Sequence, residues 1–202
     1  MSAEPSSRVF FALWPDAAMQ TALADATRSI ALSVQGARAT GAADNRTGNT
    51  ASRLVPSSNF HLTLVFLGAI PQSRIPALSP IAAQLAESFP LNGSPIDVTL
   101  DRVEYWSKAQ LLCATASATP AAAIALSEAL KSALRAEGFT PDLKPFRAHA
   151  TFARKVRHVT CELSISPVLW SFRDFHLVES RSDPGGSIYS SREKWLLDKR
   201  AC

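Results

Sequence analysis

Two segments of the sequence place a histidine two residues before a threonine, with apolar residues around the pair. The pairs are His61 with Thr63, within residues 60–68, and His149 with Thr151, within residues 146–154. Imidazole titrates near neutral pH, so two imidazoles can serve as a general acid and a general base. A threonine hydroxyl is an uncharged donor that can hold the non-bridging oxygens of an anionic centre. Together the four residues favour phosphoryl transfer at a diester without a metal ion.

The first segment has the β-branched and aromatic composition of a strand, and the second segment repeats its pattern. Strand side chains alternate between two faces, so each histidine shares a face with its threonine and the apolar residues occupy the other face. Gly68 is expected to end the first strand. The expected apolar rows are Phe60, Leu62, Leu64 and Phe66 in the first strand and Ala148, Ala150 and Phe152 in the second.

The order strand, proline-initiated helix, histidine strand occurs at residues 8–67 and again at residues 110–154. Pro15 and Pro120 suit the starts of the two helices, where a missing N–H has no cost. The first copy is longer by about the length of residues 36–53, a basic stretch without Leu, Ile, Val or aromatic residues. We therefore predict a single two-lobed α+β domain over all 202 residues. Its pseudo-symmetric β-α-β halves would have mainly antiparallel sheets facing a central cleft, helices on the outside and a flexible basic insertion at 36–53.

Periodicity and turn residues predict the remaining elements. The first helix should run to about Val34, and Ser79-Pro80 should cap and begin a helix that reaches about Phe89. The other expected elements are one half-exposed strand at 96–106, its hairpin partner at 110–116, a helix that ends at Gly138, and two last strands at 172–178 and 188–197 joined by a turn at 183–186.

The composition is that of an ordinary globular protein, with 47% hydrophobic and 19% charged residues. A net charge of +4 and a pI near 9.2 are compatible with a polyanionic partner. Cys113, Cys161 and Cys202 are odd in number and widely spaced, which argues against a disulfide framework and a structural zinc site. The apolar run after the N-terminus is too short for a signal peptide or a membrane span. We expect a cytoplasmic monomer without membrane association.

Context distinguishes the two histidine pairs from the other histidines. A third His-x-Thr, His158 with Thr160, lacks apolar alternation around it and is expected at the surface. His176 is expected to be a surface or packed strand residue. A single strand histidine beside a threonine is structural more often than catalytic. Two such pairs in matching strand and helix contexts favour catalysis.

The sequence resembles the two-histidine phosphoesterases over nearly its whole length, and within them the RNA 2′,3′-cyclic phosphodiesterases, also called 2′-5′ RNA ligases. Residues 8–13 resemble the family's first strand, 59–68 its first motif, 146–154 its second motif with a trailing arginine, and 177–195 its closing hairpin. The resemblance implies a two-lobed α+β fold with a positively lined cleft. It also implies opening of a terminal 2′,3′-cyclic phosphate to a 2′-phosphate, without a metal or another cofactor.

The resemblance also implies roles for the two pairs. His61 and His149 become the catalytic pair. Our own assignment within the pair makes His149 the base on water and His61 the acid that protonates the departing O3′. Thr63 and Thr151 become ligands of the phosphoryl oxygens. The residues alone leave these two catalytic roles interchangeable.

Two further residues are implied as substrate contacts. Arg154 would add charge-assisted hydrogen bonds to the phosphate, although strict alternation places it opposite His149 unless the strand ends or twists there. Tyr189 of the closing hairpin is a candidate to stack on a terminal base. The sequence departs from the family at Ala148, where Pro is frequent, and at Phe152, where Leu is frequent.

Three functions remain open from the sequence. The first is an RNA-end cyclic phosphodiesterase that acts on tRNA-like or oligonucleotide ends, with reversible 2′-5′ ligation as a further reaction. The second keeps the fold but acts on a small cyclic phosphate of a nucleotide or ADP-ribose. The third is a non-catalytic module that binds RNA ends. The basic stretch at 36–53 favours RNA, and the two matched pairs favour an enzyme.

Overall fold

The computed structural model describes residues 4–36, 52–91, 93–159, 161–183 and 186–197. Within these ranges the helices are α1 (Ala17–Gly36), α2 (Leu78–Ser88) and α3 (Ala121–Ala136). The strands there are β1 (Ser6–Leu13), β2 (Arg53–Leu54), β3 (Leu62–Pro71), β4 (Ile96–Leu100), β5 (Arg102–Trp106), β6 (Leu111–Thr115), β7 (His149–Arg154), β8 (Val168–Phe172), β9 (Asp174–Asp183) and β10 (Gly186–Leu196). All their pairings are antiparallel, which confirms the predicted α+β class.

The strands form two four-stranded sheets and one two-stranded ribbon among the described residues. The first sheet has the order β10-β9-β1-β3, the second has the order β2-β7-β6-β5, and β4 pairs with β8. The strand after His61 is therefore an edge of the first sheet, and the strand that begins at His149 lies inside the second. Two separate sheets can present the two histidines to each other across a cleft.

The helices connect the two sheets through one hydrophobic core. Helix α1 contacts β7, and α3 contacts β3, so each helix packs against the histidine strand of the other sheet. The Ser127 hydroxyl of α3 donates a hydrogen bond of 2.8 Å to the Leu64 carbonyl of β3. Leu23, Leu62 and Leu130 are fully buried in this core, and each contributes about 1.5–3 kcal/mol of hydrophobic stabilisation. The pseudo-symmetry of the two halves stays a prediction.

Helix α1 begins two residues later than predicted. Asp16 precedes the helix, and its carboxylate accepts a hydrogen bond of 2.8 Å from the Met19 N–H. This is the interaction of a helix N-cap, which satisfies one of the unpaired donors of the first turn. Pro15 therefore lies before the cap and is not the first helical residue. The end of the helix at Gly36 is close to the predicted end at Val34.

The start of α2 also differs from the prediction. A 3-10 helix, Gln72–Ala77, contains Pro76 and leads directly into α2 at Leu78. Ser79 is consequently inside the helix and does not cap it. Its hydroxyl donates a hydrogen bond of 2.7 Å to the Glu193 carboxylate on β10, which ties the helix to the first sheet.

The single strand predicted at 96–106 is wrong, because the chain changes sheets at Asp101. Strand β4 on one side pairs with β8, a strand that was not predicted, whereas β5 on the other side pairs with β6. The Asp101 carboxylate accepts hydrogen bonds from the Ser117 N–H, at 2.8 Å, and from the Ser117 hydroxyl, at 2.5 Å. These hydrogen bonds hold Asp101, the residue between β4 and β5, close to the chain that follows β6.

The remaining predicted elements are present, but the strand predicted at 172–178 has other bounds, because Phe172 ends β8 and β9 runs Asp174–Asp183. Gly138 follows α3 with φ +72°, the left-handed conformation of a helix-terminating glycine. Strands β9 and β10 form the predicted closing hairpin. Residues 184–185 of its turn, and residues 37–51 of the predicted basic insertion, lie outside the described residues. At the borders of that insertion, Gly36 belongs to α1 and Arg53 belongs to β2.

Candidate active site

The first histidine strand continues beyond Gly68, which does not end it. Strand β3 runs to Pro71, and Gly68 pairs with Val9 of β1. Leu67 beside it has no partner of its own in the register and is the extra residue of a β-bulge. Gly68 has φ +76°, a conformation that only glycine adopts without strain. The glycine therefore serves a bulge inside a longer strand.

A second bulge in β3 changes which residues face the cleft. Thr63 pairs with Ala12 and Val65 pairs with Phe11, so Leu64 is the extra residue. The extra residue reverses the alternation beyond it. Phe66 consequently lies on the same side as His61 and Thr63, and its predicted place in the buried row is wrong.

Strand β7 also contains a β-bulge directly after its threonine, Thr151. Thr151 pairs with Cys113 and Ala153 pairs with Leu112, so Phe152 is the extra residue. Arg154, the last residue of the strand, therefore reaches the cleft side with His149. Strict alternation would have placed Arg154 opposite His149. The bulge removes this obstacle, so Arg154 could contact the same phosphate as His149.

The two pairs face one cavity of about 340 Å³, here called the inner cavity. Its lining includes all six residues that the sequence singled out, namely His61, Thr63, His149, Thr151, Arg154 and Tyr189. His61 directly precedes β3, Thr63 lies in β3, His149, Thr151 and Arg154 lie in β7, and the closing hairpin supplies Tyr189. The structure thus brings the six together, while their roles in a reaction stay proposals.

Both histidines are oriented by the same kind of hydrogen bond. The Nδ1 of His61 lies 2.7 Å from the Asn59 carbonyl oxygen, and the Nδ1 of His149 lies 2.7 Å from the Arg147 carbonyl oxygen. A carbonyl oxygen only accepts, so each Nδ1 must carry a proton and donate it. The Nε2 of each ring is then the nitrogen left to take or give a proton in the reaction.

Aromatic rings surround His61. The Trp14 ring is parallel to the imidazole within 5° at a centroid distance of 5.4 Å, Phe10 lies at 4.9 Å, and Tyr189 meets the imidazole edge-on at 5.1 Å. Burial among these rings lowers the pKa of His61 from 6.5 to about 4, because the charged imidazolium loses its hydration. The hydrogen bond to Asn59 opposes this shift, and the charge of Arg154 adds to it.

His149 has a more charged environment. The Trp106 ring lies 4.7 Å from its imidazole, and Arg147 and Glu104 form an ion pair beside it. Burial again lowers the pKa of this histidine, the charge of Arg147 lowers it further, and the charge of Glu104 opposes the decrease. Glu104 also accepts a hydrogen bond of 2.9 Å from the Trp106 indole N–H.

Positive charge and hydroxyl groups complete the inner cavity. The Arg154 guanidinium donates a hydrogen bond of 3.3 Å to the Tyr189 hydroxyl, and the Arg8 guanidinium lies 5.6 Å above the Phe66 ring. The Thr151 hydroxyl lies 3.5 Å from the Cys113 sulfur. Burial raises the pKa of Cys113 to about 11, so this thiol stays neutral at physiological pH. The arrangement suits an oxyanion held by hydroxyls and guanidinium groups.

Sequence reasoning missed several residues of this site. Arg8 and Phe10 line the inner cavity from β1, and period-two alternation along that strand was the signal that could have indicated them. Trp14 and Trp106 each contact a histidine of the site. Their contacts join residues distant in sequence, which no local pattern reports.

The other two described histidines stay outside the lining of the inner cavity. His158 is exposed, as predicted. His176 is packed: its ring nitrogens lie 2.8 Å from the Ser191 hydroxyl and 3.2 Å from the Asp174 carboxylate. In the described part of the chain, His, Cys, Asp and Glu side chains form no group of three or more that could hold a metal ion. None of the helices there is long and apolar enough to span a bilayer.

Two His-x-Thr pairs at one cleft are the arrangement that the resemblance to two-histidine phosphoesterases implies. The family model for LigT-like phosphoesterases matches residues 33–110, which contain the first pair. This match confirms the resemblance seen in the sequence. Two curated relatives named RNA 2′,3′-cyclic phosphodiesterase support this placement. The Escherichia coli protein is 27% identical over 73% of this chain and 81% of its own length. The Thermus thermophilus protein is 29% identical over 71% of this chain and 74% of its own length.

Solved structures share the fold over almost the whole chain. Escherichia coli LigT complexed with 3′-AMP superposes with a TM-score of 0.75 at 22% identity, covering 96% of this chain and all of that one (100%). TT0787 of Thermus thermophilus superposes with a TM-score of 0.68 at 25% identity, covering 94% of this chain and 97% of that one. The two-sheet architecture described above is therefore an established one.

Proposed function

We propose that the protein hydrolyses 2′,3′-cyclic phosphate ends of RNA to 2′-phosphate ends by metal-independent acid–base catalysis. The observation that carries the proposal is the pair of imidazoles with the same tautomer, each leaving Nε2 for chemistry in a cavity with two threonines and Arg154. The names of the curated relatives support the reaction and the substrate class. A module that only binds RNA ends would need no such matched pair of proton carriers.

The reaction requires one proton to be taken and one to be given. Water attacks the phosphorus atom, and the Nε2 of one histidine takes its proton. The bond from phosphorus to O3′ breaks, and the Nε2 of the other histidine protonates O3′, which leaves a phosphate on O2′. Thr63, Thr151 and Arg154 would hold the non-bridging oxygens while negative charge develops there. With a ribose 5′-hydroxyl in place of water as the nucleophile, the same steps in the same direction would give a 2′-5′ phosphodiester, which is 2′-5′ ligation.

The acidities of the two histidines constrain the pH of this reaction. Burial lowers the pKa of His61 to about 4 and the pKa of His149 below its usual value. In the free protein, the state in which one histidine is protonated and the other is neutral is therefore populated mainly below pH 6.5. A bound cyclic phosphate carries negative charge, which raises the pKa of the imidazole beside it and favours a protonated acid near neutral pH. We keep His149 as the base and His61 as the acid as the working assignment.

Product analysis tests the proposed function directly. An RNA oligonucleotide with a 2′,3′-cyclic phosphate end is incubated with the protein and EDTA, and the product end is identified by phosphorus NMR. We expect a 2′-phosphate, formed at the same rate with and without the chelator. A 3′-phosphate product, or the loss of turnover in EDTA, would contradict the proposed regiochemistry or the metal independence.

A small cyclic phosphate is the second candidate substrate. The inner cavity measures about 340 Å³, which is large enough for a phosphate and part of a nucleoside. ADP-ribose cyclic phosphate and a 2′,3′-cyclic mononucleotide therefore belong in the same assay. A kcat/KM for either compound that equals or exceeds the value for the oligonucleotide would favour this second candidate.

A further inference from the structure

A second cavity of about 790 Å³, here called the outer cavity, adjoins the inner cavity. The residues that line both are Leu111, Arg154, Ser182, Ser187 and Tyr189. The two cavities are therefore neighbouring parts of one continuous cleft. A nucleotide strand whose terminal phosphate occupies the inner cavity has the outer cavity next to it.

The outer cavity concentrates positive charge. Arg53 of β2 lies directly opposite Arg154 of β7, and like charges in such a cross-strand pair are destabilising. Lys155 follows with φ +56°, a left-handed conformation that is uncommon for lysine. Among the described residues that line the outer cavity, these three cations accompany one carboxylate, that of Asp183. Cations brought together against local preference indicate a site for an anion.

Apolar residues form another part of the same cavity. Leu54, Val55 and Pro56 line it from the segment around β2, and Ile188 lines it from β10. The Ile188 side chain is 53% exposed, which is high for an isoleucine. A simple anion would use the cations only. A nucleotide presents both a phosphate and the apolar faces of its base and ribose.

We propose that the outer cavity binds the nucleotide that precedes the cyclic-phosphate nucleotide in an RNA strand, with Arg53 and Lys155 at its phosphodiester group. The proposal rests on the proposed function and deepens it, because it makes an oligonucleotide end a better substrate than a mononucleotide. Arg154 borders both cavities and therefore lies between the cyclic phosphate and the preceding phosphodiester.

The test compares two substrates across three charge-neutralising variants. The substrates are a trinucleotide with a 2′,3′-cyclic phosphate end and the corresponding cyclic mononucleotide, and the variants are Arg53→Gln, Lys155→Gln and Arg157→Gln. The first two should lower the ratio of trinucleotide to mononucleotide kcat/KM by about 5- to 20-fold, the effect of losing one charge-assisted phosphate contact. Arg157 is exposed and lines neither cavity, so Arg157→Gln should leave both rates unchanged.

Salt gives a second readout of the same contact. Each phosphate contact to single-stranded nucleic acid adds about 0.7 to the slope of log affinity against log salt concentration. Arg53→Gln should lower that slope by about this amount for the trinucleotide and not for the mononucleotide. An unchanged substrate ratio in both Arg53→Gln and Lys155→Gln, with unchanged slopes, would overturn the proposal.

A binding experiment tests the role of the outer cavity independently of the proposed hydrolysis. A trinucleotide that already ends in a 2′-phosphate is titrated into the wild-type protein and the three variants by calorimetry. Weaker binding in Arg53→Gln and Lys155→Gln, but not in Arg157→Gln, would support the outer cavity as the site even if no substrate were hydrolysed. Equal binding in all three variants would overturn it even if wild-type hydrolysis proceeded as proposed.

Discussion

The two walls of the inner cavity have the same backbone design and opposite side-chain character. On each wall, a His-x-Thr pair precedes a bulge in β3 or β7, and the second residue after the extra residue of the bulge lines the cleft. That residue is Phe66 in the first wall and Arg154 in the second. His61 is enclosed by aromatic rings, whereas His149 lies beside the Glu104–Arg147 ion pair.

This difference shows how the same backbone arrangement, used twice, can hold two histidines that differ in pKa. Both imidazoles are held by Nδ1 donation to the carbonyl oxygen two residues earlier, so their geometry is matched. Their acidities depend on what surrounds the ring: His61 is controlled chiefly by desolvation, and His149 also by two opposing charges. Environments that give two titrating groups different pKa values usually determine which group acts as the acid and which as the base.

Removing either imidazole should have the largest effect. His61→Ala and His149→Ala each lose a general acid or base, and we expect kcat for a cyclic-ended RNA to fall at least about 10²- to 10⁴-fold in each. His158→Ala is the matched control, since His158 also precedes a threonine by two residues but is exposed. Circular dichroism would verify that all three variants fold. Wild-type rates in either of the first two variants would remove the basis for a two-histidine mechanism.

The pH profile should distinguish the two walls. A base must be neutral and an acid protonated, so kcat/KM should be bell-shaped, with one limb near pH 4 from His61 and the other below pH 6.5 from His149. Glu104→Gln removes a charge that raises the pKa of His149, so that limb should move to lower pH. Arg147→Gln removes a charge that lowers it, so the same limb should move to higher pH.

The limb near pH 4 is the internal reference for this experiment, because neither Glu104 nor Arg147 is among the causes of the His61 shift. Arg154→Gln is the complementary variant. The charge of Arg154 lowers the pKa of both histidines, so its removal should move both limbs to higher pH. If Glu104→Gln and Arg147→Gln moved the same limb in the same direction, charge would not be what separates the two walls.

The shared backbone arrangement of the two histidine strands was largely predictable from the sequence. The difference between the side chains of the two walls was not. Both histidine strands, the helix that Gly138 follows and the closing hairpin are expected from local patterns, and the structure contains them. The place of Phe66 was predicted wrongly because a bulge depends on the register with β1, which alternation in β3 alone does not contain. The Arg154 position depends in the same way on the pairing of β7 with β6.

Sheet membership was also beyond the local pattern. The alternation at 96–106 is real, yet its two halves pair with different strands, β4 with β8 and β5 with β6. Strand β2 has only two residues and joins the second sheet, although it lies in the first half of the chain. The cross-strand pair of Arg53 and Arg154 follows from that membership. Such contacts form between distant segments, so composition and periodicity cannot report them.

A smaller effect should appear when the aromatic wall is opened. Trp14→Leu removes the ring parallel to His61 and admits water to the imidazole, so the pKa of His61 should rise from about 4 towards its usual 6.5. Titration of the imidazole proton by NMR measures this shift. Trp106→Leu is the matched variant on the other wall and should leave the His61 titration in place. An unchanged pKa of His61 in Trp14→Leu would show that Trp14 does not control its desolvation.

The smallest expected effect concerns stability, and its sign follows from the same pKa. The folded protein holds His61 at a pKa of about 4, below the 6.5 of an unperturbed imidazole, so the unfolded chain binds this proton more readily. Stability should therefore fall as pH decreases from about 6.5 towards 4. His61→Asn can retain a donor to the Asn59 carbonyl but cannot be protonated. Urea unfolding should show a loss between pH 7 and pH 5 that is smaller in His61→Asn than in wild type, by on the order of 1–2 kcal/mol. The exposed His158 gives the reference variant, because His158→Asn should lose as much stability as wild type over this pH range. Equal losses in wild type, His61→Asn and His158→Asn would mean that the aromatic wall does not disfavour a charged His61.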